Sequence, residues 1–267
     1  MGAHYVAGIG QNRSMANPHE ETRMACFVLV HGAWHGGWCW QRVAGLLASQ
    51  GHRVHAPTLT GLGDRAHLLS PAITLETHIT DVMALIEAEE LQDVVLAVHS
   101  YAGMIGTAVA DRMPRRLRHL AYVDAVVPQP GEAWGSTHAP ATREARLAAA
   151  QASADYTLAP PDSSVFGLSG DDHAWVARRQ VPHPGHTYTA PLAFDPARVA
   201  SVPRTFFDCT RPPLATIDAS RRRVRDPGFW GGQWAAGGGA RVVELATGHD
   251  PMVSAPGELA QWLAATA

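Results

Sequence analysis

The chain has 267 residues, of which 46% are hydrophobic and 17% charged, and its formal net charge is −3. This composition is typical of a globular protein and excludes a disordered chain, while the length suits one large α/β domain with a lid. Without a sustained basic run there is no electrostatic footprint for nucleic acid, and no stretch reaches the roughly 20 apolar residues of a membrane helix.

The first 24 residues lack the apolar core of a signal peptide, so we expect a flexible N-terminal leader there. Three cysteines give no disulfide framework and favour a reducing, cytoplasmic location. The basic cluster Arg221–Arg223 with Arg225 is interpreted as a solvated helix face.

From Ala25 onward, short apolar runs alternate with amphipathic stretches. The sequence predicts strands at residues 26–30, 53–56, 93–98, 120–123, 205–209 and 241–245, of which 26–30, 93–98 and 205–209 are expected to be buried. A helix is predicted after the N-cap Thr74, because apolar residues recur in steps of four, three and four: Leu75, Ile79, Val82 and Ile86. Another helix is predicted from Tyr101 to Met113, where Pro114 ends it. The last predicted helix begins at Ser254 and Pro256.

This alternation predicts an α/β fold whose mostly parallel sheet has helices on both faces. The alternation fails between residues 128 and 202, where Ala, Pro and Ser dominate. We predict a lid insertion at 128–202 over the carboxyl ends of the strands, where open α/β sheets bind ligands. Residues 25–127 and 203–267 then form the core.

A candidate nucleophile, Ser100, lies in the segment Val98–Gly103 between a predicted strand and a predicted helix. A serine on such a sharp turn exposes its hydroxyl, and its usual pattern is G-x-S-x-G. Here Val98 and Ala102 occupy the glycine positions, and the branched Val98 is expected to crowd the turn.

The loop after the first strand, residues 31–38, is a candidate oxyanion hole, because His-Gly followed by a small residue can turn an N–H toward the nucleophile. We predict that the N–H groups of Ala33 and Tyr101 are the donors. His249 follows the last strand and can reach Ser100 as general base. His31 and His99 are expected to be structural, and no His, Asp or Glu set has convincing metal-ligand spacing.

Three segments together resemble the α/β-hydrolase superfamily: residues 27–40, 99–103 and 248–252. Within it they are most similar to bacterial relatives of the plant methylesterase and hydroxynitrile lyase group. The resemblance extends over nearly everything from Ala25 onward and is weakest in the predicted lid. It implies an α/β-hydrolase fold, a Ser–acid–His triad, acyl-enzyme chemistry and no cofactor.

The triad acid lies between Ser100 and His249 in chain order in this superfamily. In the plant enzymes it follows the strand that matches 205–209, but the corresponding turn here, 211–213, contains no carboxylate. Asp124 ends the preceding strand, after which other hydrolases place their acid. We therefore predict Asp124, and the alternatives are Asp218, Asp208 and Asp226.

Plant hydroxynitrile lyases of this group have threonine at the position of Gly32 and lysine at that of Asp250. A carboxylate would not stabilise departing cyanide as an ammonium would, so ester hydrolysis is favoured. We predict a serine carboxylic-ester hydrolase that acts through an acyl-enzyme on small to medium, largely apolar esters. The candidate substrate-binding residues are Trp34, Tyr101 and Trp134, with Trp175 in addition. Acyltransferase, lactonase, lyase and non-catalytic receptor functions remain alternatives, and a homodimer stays open.

Overall fold

A computed structural model of the chain describes residues 24–234 and 239–267, so the predicted leader lies outside the described residues except for Met24. In these ranges the central sheet consists of β1 (Cys26–Val30), β2 (Arg53–His55), β3 (Val94–His99), β4 (Leu117–Val123), β9 (Arg204–Cys209) and β10 (Ala240–Leu245). These six strands are parallel and lie in the order β10–β9–β4–β3–β1–β2. The predicted parallel sheet is confirmed.

The helices are α1 (Gln41–Ser49), α2 (Leu75–Ala88), α3 (Gly103–Arg112), α4 (Pro140–Ala152), α5 (Gly170–Ala177), α6 (His186–Thr189), α7 (Pro196–Ala200), α8 (Asp218–Arg225), α9 (Pro251–Ser254) and α10 (Pro256–Ala264). They form separate groups, in which α1 packs against α10 and α2 packs against α3. Within the described ranges, none combines the length and the apolarity needed to cross a membrane.

Local sequence explains where several helices begin. Thr74 forms a capping box with Thr77 at the start of α2, and the apolar positions predicted for this helix are all buried. The helix predicted from Tyr101 starts with a 3-10 turn at Ser100–Ala102, and α3 follows from Gly103. The last predicted helix is α10, which begins at Pro256; the short helix α9 precedes it and is separate, because Pro256 has no N–H to continue the preceding turn.

The segment 128–202, our proposed lid, connects β4 to β9. These two strands are direct neighbours, so the segment leaves the sheet without interrupting its pairing. In the described part of the chain it contains α4 to α7 and two small antiparallel ladders. The ladders pair β5 (Glu132–Ala133) with β8 (Pro191–Leu192) and β6 (Thr157–Leu158) with β7 (His183–Pro184).

The strand order creates a crevice at the carboxyl ends of β1 and β3. The chain leaves β1 toward β2 and leaves β3 toward β4, so the loops after these strands diverge. The register pairs Val30 with Val98 and His99 with Val123. The residues that follow β3 and β4, Ser100 and Asp124, therefore emerge at the same level of the sheet.

Candidate active site

Ser100 occupies a strained turn between β3 and α3. Its φ of 54° lies in the left-handed region, which residues other than glycine rarely adopt. Such strain is found at functional sites where the surrounding structure enforces it. Ser100 is only partly buried, whereas the rest of the turn, Tyr101 and Ala102, is fully buried. The turn therefore exposes the hydroxyl to the crevice.

The crowding expected from Val98 is relieved by Gly106 in α3. A Cβ atom at Gly106 would lie 2.8 Å from each of the two γ-methyl carbons of Val98. Val98 therefore occupies the space that a side chain at position 106 would otherwise fill. The departure from G-x-S-x-G is compensated by a glycine one turn into the following helix.

His249 is held between a hydroxyl and a carboxylate. Its Nε2 lies 2.9 Å from Ser100 Oγ, and its Nδ1 lies 2.7 Å from Asp124 Oδ2. The backbone of His249 is also fixed, because its N–H donates to the Phe166 carbonyl at 2.8 Å and its carbonyl lies 2.9 Å from His99 Nε2. The imidazole is 2% exposed, which leaves little freedom to leave this position.

Asp124 is fully buried at the end of β4. Its N–H donates to the Phe207 carbonyl at 2.8 Å, and its second carboxylate oxygen, Oδ1, accepts from Arg221 Nη2 at 2.7 Å. Asp218 and Asp208 contact Arg221 instead, and Asp226 accepts from the Gly228 N–H. Among the four candidate acids, Asp124 is the one that reaches the ring of His249.

The interpretation of Arg221 as part of a solvated helix face is wrong. Its side chain is buried, and Nε donates to Asp208 at 2.6 Å while Nη1 donates to Asp218 at 2.9 Å. Arg225 also contacts Asp208, at 2.6 Å. Buried carboxylates require compensating charge, and α8 supplies it from behind Asp124.

The loop after β1 passes directly beside Ser100. A Cβ atom at Gly32 would lie 2.8 Å from Ser100 Cβ and 2.8 Å from His99 Nδ1, so only glycine permits this approach. The next residue, Ala33, is buried, and Tyr101 directly follows Ser100. The residues predicted to donate their N–H groups to an oxyanion thus adjoin the candidate nucleophile on both sides.

His31 orients the Gly32 peptide. Its Nε2 accepts the Leu59 N–H at 3.0 Å, so Nδ1 carries the proton and donates to the Gly32 carbonyl at 2.8 Å. Complete burial lowers the pKa of His31 to about 3, which keeps the ring neutral in this role. His31 is placed as a structural residue.

A second buried carboxylate, Asp250, joins the His249 loop to the loop after β1. Its Oδ2 lies 3.1 Å from His35 Nε2, and His35 Nδ1 lies 2.7 Å from the Ala33 carbonyl. Burial opposes its charge, but the neighbouring His35 outweighs this effect and holds the pKa of Asp250 at about 2. For His35, burial opposes protonation, yet Asp250 raises its pKa above the usual value. No sequence pattern predicts this pair, because its two members are separated by 215 positions.

One set of described residues has metal-ligand spacing. Ligand atoms of His99, His249 and Asp250 lie within 4.8 Å of one another. Both ring nitrogens of His249 are already engaged, by Ser100 and Asp124. A metal ion here would have to break one of those hydrogen bonds, so the set fits a hydrogen-bonded network better than a metal site.

A cavity of about 220 Å³ opens onto Ser100 and His249. Trp34 and Trp134, two of the predicted substrate-binding residues, are among its lining side chains. The other lining residues are Arg146, Pro161, Val165, Phe166, Leu214, Thr216 and Ile217. Arg146 and Phe166 belong to the proposed lid, and sequence reasoning missed both.

The other two aromatic candidates do not line this cavity. The Tyr101 ring turns into the core, where it is fully buried and its hydroxyl lies 3.1 Å from His78 Nδ1. Trp175 packs edge-on against Trp38, with ring centroids 5.0 Å apart. The prediction that the Tyr101 side chain contacts substrate is therefore not supported, because the strained turn at Ser100 directs the next side chain inward.

The family model of the alpha/beta hydrolase family matches residues 27–262, nearly the whole chain. The chain belongs to the alpha/beta hydrolase family. It is 42% identical over 251 residues to a carbendazim hydrolyzing esterase from Nocardioides sp. (strain SG-4G), a match that covers 91% of this chain and 99% of that protein. It is 25% identical to methylesterase 7 of Arabidopsis thaliana, over 87% of this chain and 92% of the relative. Relatives named as esterases support the predicted class, a carboxylesterase-type hydrolase.

Solved structures of this family have the same fold. An extracellular alpha/beta-hydrolase from a Paenibacillus species aligns with a TM-score of 0.75 at 21% identity, covering 91% of this chain and 98% of that one. Methylketone synthase I from tomato aligns with a TM-score of 0.71 at 19% identity, covering 91% and 97%. The predicted α/β-hydrolase fold and the resemblance to the methylesterase group are confirmed.

Proposed function

We propose that this alpha/beta hydrolase is a serine carboxylic-ester hydrolase with Ser100 as nucleophile, His249 as general base and Asp124 as the triad acid. The observation that carries the proposal is the continuous path from Ser100 Oγ through the His249 ring to Asp124, with contacts of 2.9 and 2.7 Å. Nucleophile, base and orienting carboxylate in hydrogen-bond contact are the geometric signature of nucleophilic acyl transfer.

In the proposed reaction, His249 Nε2 takes the Ser100 proton as Oγ attacks the ester carbonyl carbon. The carbonyl π electrons move onto oxygen, and the N–H groups of Ala33 and Tyr101 stabilise that oxyanion. The intermediate collapses, the C–O bond to the alcohol breaks, and the imidazolium returns its proton to the leaving alkoxide. Water, deprotonated by His249, then attacks the acyl-enzyme and releases the carboxylic acid and Ser100.

Asp124 and the Asp250–His35 pair have different proposed roles. Asp124 accepts from Nδ1–H, which fixes the tautomer whose Nε2 can receive the serine proton, and it stabilises the imidazolium. Asp250 faces His35 and not the cavity, so it positions the loop and does not take part in proton transfer.

The cavity supports small to medium esters as substrates. Its volume is about 220 Å³ and much of its wall is aromatic or aliphatic, with Trp34 from the loop after β1 and Trp134 and Phe166 from the proposed lid. Carbendazim and methyl esters are the first compounds to test, because the relatives are named for carbendazim hydrolysis and as methylesterases. The cytoplasmic location and a homodimer stay predictions.

The deciding experiment measures kcat/KM for 4-nitrophenyl acetate and for carbendazim with the wild-type protein and Ser100→Ala. We expect Ser100→Ala to lose about 10⁴-fold or more, because the acyl-enzyme cannot form. Ser49→Ala, an exposed serine in α1, serves as the matched control and should retain full activity. Undiminished turnover by a correctly folded Ser100→Ala protein, judged by circular dichroism, would refute the proposal.

A further inference from the structure

Arg146 is the charged side chain in the wall of the active-site cavity. It projects from α4 and lines the same cavity as Ser100 and His249. Its guanidinium carbon lies 5.3 Å from the centroid of the Trp34 ring and 5.8 Å from that of Trp134. The Tyr188 ring lies at a comparable distance, 5.9 Å. Aromatic faces therefore hold this cation in place.

Arg146 has no acidic partner among the residues that the structure describes. The described lining of the cavity contains neither Asp nor Glu, and no ion pair in the described ranges includes Arg146. Burial lowers the pKa of Arg146, and the same burial lowers the pKa of the adjacent His138 to about 3, so that histidine is neutral. The cavity thus has a net positive wall at neutral pH.

A guanidinium that is largely removed from water and has no counter-ion is a strong site for an anion. A carboxylate can accept two parallel N–H donors from it, and such charge-assisted pairs are about twice as strong as neutral hydrogen bonds. The aromatic rings already restrict the side chain, so less conformational entropy is lost when an anion binds. A neutral ester would leave the positive charge without an anionic partner, since the side chain of Tyr188 that hydrogen-bonds Arg146 is neutral.

We propose that Arg146 binds a free carboxylate at the end of the substrate remote from the scissile bond, so that monoesters of small dicarboxylic acids are the preferred substrate class. The inference rests on the proposed ester hydrolysis for the position of the scissile bond. It refines the expectation of largely apolar esters, since one wall of the cavity is cationic and the rest remains apolar.

The test measures binding in the Ser100→Ala protein, in which turnover does not interfere. The probes are the monomethyl esters of succinic, glutaric and adipic acid, each compared with its neutral carboxamide analogue of equal length. Quenching of tryptophan fluorescence reports occupancy, because Trp34 and Trp134 line the cavity. We expect at least one carboxylate ester to bind about tenfold or more tightly than its amide partner.

Variants assign that preference to one side chain. In the Ser100→Ala background, Arg146→Met should reduce the ratio of the two dissociation constants to about one, and Arg146→Lys should retain part of it. Arg143→Met, at an exposed position one turn earlier in α4, should leave the ratio unchanged. If Arg146→Met does not fold, Arg146→Gln provides the same neutralisation with a polar side chain.

Two outcomes overturn the inference: equal dissociation constants for all three pairs, or a preference that survives neutralisation of Arg146. Either is distinguishable from failure of the proposed function. If the wild-type protein hydrolyses neutral esters without a carboxylate preference, the inference about Arg146 is wrong and the hydrolase proposal stands. If the binding preference is present but the wild-type protein turns over no ester, the hydrolase proposal fails and the anion site stands.

Discussion

The arginine at the carboxyl edge of the sheet and the one in the 128–202 segment have different surroundings. Behind the candidate triad, Arg221 is neutralised by Asp124, Asp208 and Asp218. Across the cavity, Arg146 rests on aromatic rings with no carboxylate in salt-bridge distance among the described residues. The difference suggests that paired charge fixes the proposed chemistry, whereas the unpaired charge is available for a ligand.

The largest expected effect is a loss of activity when Asp124, one of the carboxylates paired with Arg221, is substituted. Asp124→Asn should lower kcat by about 10⁴-fold with the fold intact, because an amide donates to Nδ1 and imposes the wrong histidine tautomer. Asp218→Asn is the matched control, since Asp218 also contacts Arg221 but is half exposed. Steady-state kinetics on an activated ester would measure both. Equal losses in the two variants would contradict the assignment of Asp124 as the acid.

Substitution of Arg221 and of Arg146 tests this comparison through the free energy of unfolding. Arg221→Met should lower the free energy of unfolding by about 3–5 kcal/mol, because it leaves the buried Asp124 without its guanidinium partner and leaves Asp208 with Arg225 alone. Arg146→Met should cost about 1 kcal/mol or less, since no buried carboxylate loses its partner. Urea denaturation would give both values, with the exposed Arg222→Met as control. Similar losses for Arg221 and Arg146 would remove the proposed distinction.

A smaller effect is expected where the loop after β1 approaches Ser100. Gly32→Ala should reduce kcat/KM by about 10²–10³-fold, because its methyl group would push the Ala33 N–H away from the oxyanion. Gly45→Ala provides the control, since a Cβ atom there meets nothing within 4 Å. Activity equal to the wild type in Gly32→Ala would exclude this loop from the oxyanion hole.

The smallest effect concerns pH. His31 and His78 are buried and neutral, and burial lowers their pKa to about 3 and about 4. Below pH 6.5 the unfolded chain binds protons that the folded protein excludes, so stability falls as the pH decreases. Each histidine should cost up to about 1.4 kcal/mol per pH unit in this range. Urea midpoints at pH 7 and pH 5 would measure the loss.

His31→Gln should make that pH dependence shallower, because one of the excluded protons is no longer involved. The conservative variant at an exposed histidine, His67→Gln, should leave the slope unchanged. A pH dependence of stability in His31→Gln that is as steep as in the wild-type protein would contradict the assignment of His31 as a buried neutral group.

Sequence reasoning identified the elements and motifs that depend on nearby residues. Continuous β-branched runs predicted the buried strands, and the strand-to-helix position of Ser100 predicted its sharp turn. It was less successful for Tyr101, whose N–H adjoins the nucleophile while its ring lies in the core. A local pattern locates a backbone but not the direction of every side chain on a strained turn.

The chain alone determined the strand and helix pattern, because this follows from short-range hydrophobic periodicity. Its motifs carried the resemblance to the family and indicated Ser100 and His249 as candidate site residues. Only the tertiary structure decided which of several aspartates reaches His249, because strand register and order bring Asp124 level with Ser100. It also decided that His35 pairs with Asp250, that Arg221 is buried, and that Arg146 faces the cavity. Charged residues that are far apart in sequence come into contact only through the strand order and register of the folded sheet.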